Sequence, residues 1–266
     1  MFLKKIYFNN KQLKQSSTLL LTSISIMALT LGINFFLTKL LGKLNFGNFS
    51  YIINIFNLIQ ILFNFGIFYS ISRMIALSKT LNTERELYAI GLIFTFLLYF
   101  FVIIFLIISL LFLKNNFISE SILFLMPFGW IFLLNNFNEL LLQGGNRIGL
   151  LSFSRFMPKF IFLLSVGYLF YFLKEETNLY SIFSYFILSS ILPYIFIIYK
   201  ISPKFKNLYK KFKEIKIANK EFGFNVYLGS IIAVGASSLT GIFIGYFGVN
   251  NIEVGYYHIA LQFSAP

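Results

Sequence analysis

The fold is decided by residues 36–76, FLTKLLGKLNFGNFSYIINIFNLIQILFNFGIFYSISRMIA. One uncharged run, residues 16–37, ends just before this stretch turns through Gly42 and Gly47, and a second uncharged run occupies residues 49–72. Each run is longer than the roughly 20 residues that a helix needs to cross about 30 Å of hydrocarbon. We therefore predict that two membrane-spanning helices form a hairpin here.

The composition extends this prediction to the whole chain. Hydrophobic residues make up 58% of the 266 residues, charged residues make up 12%, and the mean hydropathy is +0.80. A soluble core of this size could not hide so much apolar surface, so we predict an all-α polytopic membrane protein. The chain has no cysteine and one histidine. We therefore expect no catalytic residues, no metal site and no cofactor.

Further uncharged or nearly uncharged runs follow the first two. Runs this long and continuously apolar favour helices over barrel strands, which alternate in polarity. The first run follows a basic start, but it is longer than a signal-peptide core and no cleavage site follows it. We predict about eight spans, which begin with residues 16–37 and continue with residues 49–72, 87–113, 121–142, 156–173, 177–199, 222–247 and a start near Gly255.

The basic residues predict the orientation. With a cytoplasmic N-terminus, 18 of the 22 lysines and arginines fall on the inner side, and only Lys39, Lys43, Lys114 and Lys174 fall outside. Such an excess is typical of cytoplasmic loops. The net charge of +13 is spread over these loops rather than gathered on one face, so it does not indicate a nucleic-acid partner. The expected partner is the lipid bilayer.

A spacing of glycines suggests an internal repeat. Gly42 and Gly47 recur as Gly248 and Gly255, at spacings of 206 and 208 residues. We predict a six-span lobe over residues 1–199, a basic cytoplasmic linker over 200–221, and the start of a second, repeat-related lobe over 222–266. Transporters built from such repeats carry their substrate between the two lobes.

Two patches resemble a known family. They are Leu37-Thr38-Lys39-Leu40-Leu41-Gly42 with Phe46-Gly47, Asn64-Phe65-Gly66-Ile67 and Arg73, and, near the end, Gly255-Tyr256-Tyr257 with Ala260 and Pro266. They resemble the polysaccharide-biosynthesis flippases, which include the O-antigen exporters of the multidrug/oligosaccharidyl-lipid/polysaccharide superfamily. Members have twelve or more spans, so a chain with eight looks truncated at Pro266.

The resemblance implies a function. It implies a flippase, not an enzyme, that moves polyprenyl-diphosphate-linked oligosaccharide across the bacterial inner membrane by alternating access. Polysaccharide polymerase and chain-length proteins would be its partners. Three positions depart from the family pattern: Lys39 replaces an arginine, Asn64 replaces an aspartate, and Thr240-Gly241 stands where an acidic-basic pair is common. The lysine keeps the charge but loses the bidentate fork for a phosphate.

A flippase needs an inward-facing path with polar side chains and a cation. At helical spacing, polar residues form stripes on the first, second and fourth spans, and the alternative is that they only bond neighbouring helices. Four cations could capture diphosphate at the cytoplasmic side, or could simply mark helix ends: Arg73, Arg147, Arg155 and Lys159. Glu139 could couple transport to a cation, or could pair with Arg147. The expected substrate-binding residues are Lys39, Asn54, Asn57, Gln60, Asn64, Arg73, Asn135, Glu139 and Arg147.

Two other functions remain open. A cation-coupled multidrug exporter of the same superfamily would favour carboxylates deep in the first and seventh spans, and neither span has one. A membrane glycan polymerase or glycosyltransferase commonly needs a large outer loop or an acid/base constellation, and the predicted outer loops are short. An inactive truncated chain is the third possibility. The sequence does not identify the glycan, the coupling ion, the oligomeric state or the polysaccharide pathway.

Overall fold

A computed structural model describes residues 2–111, 116–173 and 177–264. The structure is 89% helical, and no strand occurs in these ranges, which confirms the all-α prediction. Lys114, Lys174 and Pro266 lie outside the described residues. The helices are α1 (Phe2–Leu62), α2 (Ile67–Ala76), α3 (Leu81–Leu110), α4 (Asn116–Leu125), α5 (Trp130–Gly144), α6 (Ile148–Phe172), α7 (Leu179–Ile201), α8 (Leu208–Ala218), α9 (Phe224–Ser230), α10 (Ala236–Phe247) and α11 (Ile252–Ser264).

Helix α1 is broken at Gly42, whose φ of 71° and ψ of 172° are not helical. Positive φ is readily available only to glycine, so this residue permits the break. The segment before Gly42 runs along α6. The Gln15 amide donates to Asn146 Oδ1 at 3.1 Å beside the start of α6, and Phe36 packs on Phe170 near its end. The first segment of α1 is therefore parallel to α6.

The segment after Gly42 runs along α5 instead. Phe56 stacks on Phe132, and the Asn136 amide donates to the Gln60 carbonyl at 3.0 Å, so this segment is parallel to α5. Since α5 and α6 are antiparallel neighbours joined by a short turn, the two segments of α1 run in opposite directions. The hairpin is therefore present. Its reversal lies at Gly42, whereas the sequence suggested a longer turn through Phe46 and Gly47.

Near the hairpin, a close contact joins α1 to the start of α11. We call it the glycine seam, and it consists of Gly47, Asn48, Asn251 and Gly255. A side-chain carbon added to Gly255 would lie 3.4 Å from Gly47 Cα, and one added to Gly47 would lie 1.9 Å from the Asn251 carbonyl oxygen. The buried Asn251 amide donates to Asn48 Oδ1 at 2.8 Å. Backbones can approach this closely only because both glycines lack side chains.

Gly47→Ala is expected to destabilise the protein by about 1–3 kcal/mol, because the new methyl group meets rigid backbone in the seam. The measurement is the midpoint of thermal unfolding in detergent. Gly167→Ala is the matched control, since nothing lies within 4 Å of a side-chain carbon at that position in α6. Equal midpoints for the two variants would contradict the close packing of the seam.

The second predicted span is shorter than expected. The run of residues 49–72 does not form one helix, because α1 ends at Leu62 and α2 begins at Ile67. Phe65 and Gly66 have positive φ angles of 46° and 80°, which turn the chain between them. The Asn64 side chain accepts a hydrogen bond from the Phe68 N–H at 3.1 Å and so stabilises the first turn of α2.

The predicted linker is largely helical. Residues 202–207 are irregular, and α8 then leads through a π-helical turn, Asn219–Gly223, directly into α9. Phe212 of α8 stacks on Phe94 of α3, with ring centroids 5.4 Å apart. The linker is therefore packed against the first six-span region along part of its length. The division into two lobes stays a prediction.

Within the described residues, four helices are long and apolar enough to span a membrane, and two bent helix pairs raise the number to six. The pairs are bent by 55° between α4 and α5 and by 45° before α10. The first of the four, Gln12–Leu62, has 51 residues, or roughly 76 Å of helix, which exceeds one crossing. Because this helix reverses at Gly42, we count it as two crossings.

Candidate functional site

Helix α6 carries two cations into the interior of the bundle. Arg155 and Lys159 are four residues apart and so lie on one face. Lys159 stands roughly 17 Å along α6 from Ile148, near the middle of the span. Its ammonium group donates to Thr30 Oγ1 at 3.3 Å, and it forms no ion pair with a described carboxylate. A cation at this depth without an acidic partner is costly, which marks it as a functional candidate.

Arg155 is paired with Glu139 of α5. The Arg155 Nε atom donates to Glu139 Oε2 at 2.9 Å, and Nη2 donates to Oε1. Each of the two side chains is about one third exposed, at 31% and 35%. Pairing of Glu139 with Arg147 was one of the alternatives from the sequence, and it was wrong. Arg147 instead pairs with Glu84 at 2.8 Å, because it precedes α6 and points toward α3.

One more polar residue, Asn135, continues the α5 face and contacts Tyr194 of α7. Asn135 is one helical turn before Glu139, and its Oδ1 accepts a hydrogen bond from the Tyr194 hydroxyl of α7 at 3.0 Å. Tyr194 is buried and also lies close enough to Glu139 to interact with its charge. Asn135 and Glu139 of α5 thus both interact with Tyr194 of α7, Asn135 through a hydrogen bond and Glu139 through its charge.

A matching pair of contacts joins α1 to α11. The buried Asn34 amide donates to Gln262 Oε1 at 2.9 Å, one turn beyond Thr30. The Gln262 Nε2 atom is buried and has no acceptor among the described residues. His258, one turn before Gln262, packs edge-on against Phe46. It also lies close enough to Lys159 to interact with its charge. One buried donor without a described acceptor, Gln262 Nε2, therefore lies one helical turn from His258.

Together these side chains form four contacting pairs, which with His258 we call the central polar cluster. It takes two residues, four apart, from each of α1, α5, α6 and α11, and one residue from α7. The cluster has one more positive than negative charge, and no group of metal ligands occurs in the described residues. Such a site suits an anion. Its members are Thr30, Asn34, Asn135, Glu139, Arg155, Lys159, Tyr194, His258 and Gln262.

The polar stripe of the second span lies beside this cluster, against α10 and α5. Asn54 is buried against Gly241, and its Nδ2 atom has no acceptor among the described residues. The Gln60 Oε1 atom is likewise buried without a donor there, and Asn57 is half-buried. Asn64 caps α2 instead of facing a cavity. A role of Asn54, Asn57 and Gln60 in the path stays a prediction.

The other predicted cations lie away from the cluster. Lys39 is exposed at the end of the first span, beside the Gly42 reversal. Arg73 is exposed on α2, and its guanidinium lies 4.4 Å from the Phe222 ring centroid. Arg147 is occupied by Glu84 and lies 5.4 Å from the Tyr88 ring centroid. The structure therefore brings together Asn135 and Glu139 of the predicted set.

Sequence reasoning assigned Arg155 and Lys159 to helix ends and did not include Tyr194, His258 or Gln262 among the site residues. One signal for the cations was available. Lys159 interrupts an otherwise apolar run of residues 156–173, and Arg155 precedes it by one helical turn. The residues of α7 and α11 gave no comparable signal, because their partners are distant in sequence.

Comparison with known proteins gave one match. A family model described as polysaccharide biosynthesis protein matches residues 13–265, which is nearly the whole chain. No curated protein and no solved structure matches the chain significantly.

Proposed function

Because the chain belongs to the polysaccharide biosynthesis protein family, we propose that it is a flippase for polyprenyl-diphosphate-linked oligosaccharide. Membership gives it a role in polysaccharide synthesis or export, and members of the family are transporters rather than enzymes. The proposed step carries the lipid-linked oligosaccharide from the cytoplasmic to the outer leaflet of the bacterial inner membrane. The N-terminus is cytoplasmic in this proposal, and the product feeds a polymerase and its chain-length proteins.

The observation that carries the proposal is the position of Arg155 and Lys159. A diphosphate must cross a layer of low dielectric constant, where its charge needs a nearby cation. Arginine offers a planar fork that matches phosphate oxygens, and lysine offers a compact charge. The family pattern suggested a cation at Lys39, but Arg155 and Lys159 lie roughly 10 and 17 Å along α6 from its start, within the predicted span, where compensation matters more.

The place of the cluster also supports transport between two lobes. Thr30 and Lys159 belong to the predicted six-span lobe, whereas Gln262 belongs to the start of the predicted second lobe. A ligand bound at the cluster would contact both. Alternating access requires such a shared site, because each lobe must reach the same substrate from either side of the membrane.

The test is the leaflet accessibility of lipid-linked oligosaccharide in cells that lack the gene. We expect the intermediate to accumulate facing the cytoplasm, and restoring the gene in its full reading frame should move it outward. The proposal fails if the intermediate reaches the outer face without the gene while unpolymerised glycan accumulates there. That outcome would favour a glycan polymerase instead.

A further inference from the structure

The Glu139–Arg155 contact uses donor atoms that a phosphate would also use. Nε and Nη2 of the guanidinium group point side by side at the two carboxylate oxygens. Arginine makes the same bidentate contact with two oxygens of a phosphate group. The carboxylate of Glu139 therefore occupies the part of Arg155 that is best suited to a diphosphate.

Lys159 stands one turn further along α6 and is not occupied in this way. Thr30 is its hydrogen-bond partner, and it forms no ion pair among the described residues. One phosphate group of a diphosphate could approach Lys159 without disturbing Glu139. Its second phosphate group would then lie beside Arg155, which it could engage only by displacing the carboxylate.

We propose that Glu139 and the substrate diphosphate compete for Arg155, so that the returning carboxylate expels the diphosphate and completes each transport cycle. This inference rests on the proposed function, since it takes the lipid-linked diphosphate as the ligand. Glu139 acts here on the affinity and release of the substrate through Arg155, and does not itself bind the diphosphate.

The surroundings of the pair fit an exchange. Both side chains are about one third exposed, so another anion can reach the guanidinium group. Exchange of one anion for another keeps Arg155 paired throughout, which avoids an isolated charge inside the membrane. Polar groups lie near the released carboxylate, because Asn135, one turn before Glu139 on α5, accepts a hydrogen bond from the Tyr194 hydroxyl.

The experiment measures binding of undecaprenyl diphosphate to the purified full chain in nanodiscs, together with transport in vesicles. Glu139→Gln should bind the lipid roughly tenfold more tightly, because a competing charge-assisted contact is gone. The same variant should transport more slowly, because release is hindered. Arg155→Ala should bind more weakly than the wild type. Glu214→Gln, at a partly exposed ion pair within α8, is the matched control and should leave binding unchanged.

The two proposals fail in different ways. If the wild type binds undecaprenyl diphosphate no better than uncharged undecaprenol, the proposed substrate is wrong. If the wild type prefers the diphosphate but Glu139→Gln binds it equally or more weakly, competition is overturned. Glu139→Asp, which keeps the charge but shortens its reach to Arg155, should give a smaller gain in affinity. It provides the same test if Glu139→Gln does not fold.

Discussion

Lys159→Met is expected to abolish outward movement of the lipid-linked oligosaccharide while the protein remains folded. Methionine keeps the length and most of the volume of lysine but removes its charge. Lys159 has no described acidic partner, so the change leaves no carboxylate unpaired, and stability should not fall. The loss should be at least about tenfold, because a charge-assisted contact to phosphate disappears in a region of low dielectric constant.

The measurement combines the leaflet assay in cells with thermal unfolding of the purified variant. Lys159→Arg retains the charge and should retain part of the activity. Lys39→Met is the matched control, since it removes an exposed cation at the end of the first span. Full activity of Lys159→Met alongside an inactive Lys39→Met would move the substrate-binding cation to the position that the family pattern suggests.

Glu84→Ala is expected to destabilise the protein by about 1–3 kcal/mol, because it leaves the partly buried Arg147 without its carboxylate partner. The Glu84 side chain is only 11% exposed, and its Oε1 atom accepts from Arg147 Nε at 2.8 Å. Arg147 also lies over the Tyr88 ring, whose hydroxyl bonds the Leu141 carbonyl. The pair thus connects α3 to the turn between α5 and α6.

The prediction is checked by the yield of folded protein and by the midpoint of thermal unfolding in detergent. Glu214→Ala breaks the Lys211–Glu214 pair within α8, where Glu214 is partly exposed. That control should cost no more than about 0.5 kcal/mol. An equally small effect of Glu84→Ala would show that the α3 contact does not depend on this ion pair.

The helical class and the hairpin could be predicted because each follows from local composition. An uncharged run of sufficient length must be a spanning helix in lipid, whatever its neighbours are. The position of the reversal could not be predicted as easily. Both Gly42 and Gly47 permit a turn. Only the packing against the start of α11 shows that Gly47 allows close contact between helices, whereas the helix breaks at Gly42.

The candidate site was harder to predict because its members meet through tertiary contacts. Arg147 and Arg155 are both close to Glu139 in sequence, and either could have paired with it. The turn after α5 passes through Asn146, whose φ is 52°, and leaves Arg147 facing Glu84. Arg155, two turns into α6, then lies opposite Glu139. Periodicity within one helix does not contain that information.

The contact between Gly47 and Gly255 has an evolutionary consequence. In the predicted internal repeat, the glycine spacing makes these two residues counterparts, and yet they lie against each other. In a homodimer with two-fold symmetry, a residue touches its own copy only on the rotation axis. Under the predicted repeat, the seam is therefore where the isologous interface of an ancestral homodimer would have lain, and gene fusion would have turned that interface into an internal one.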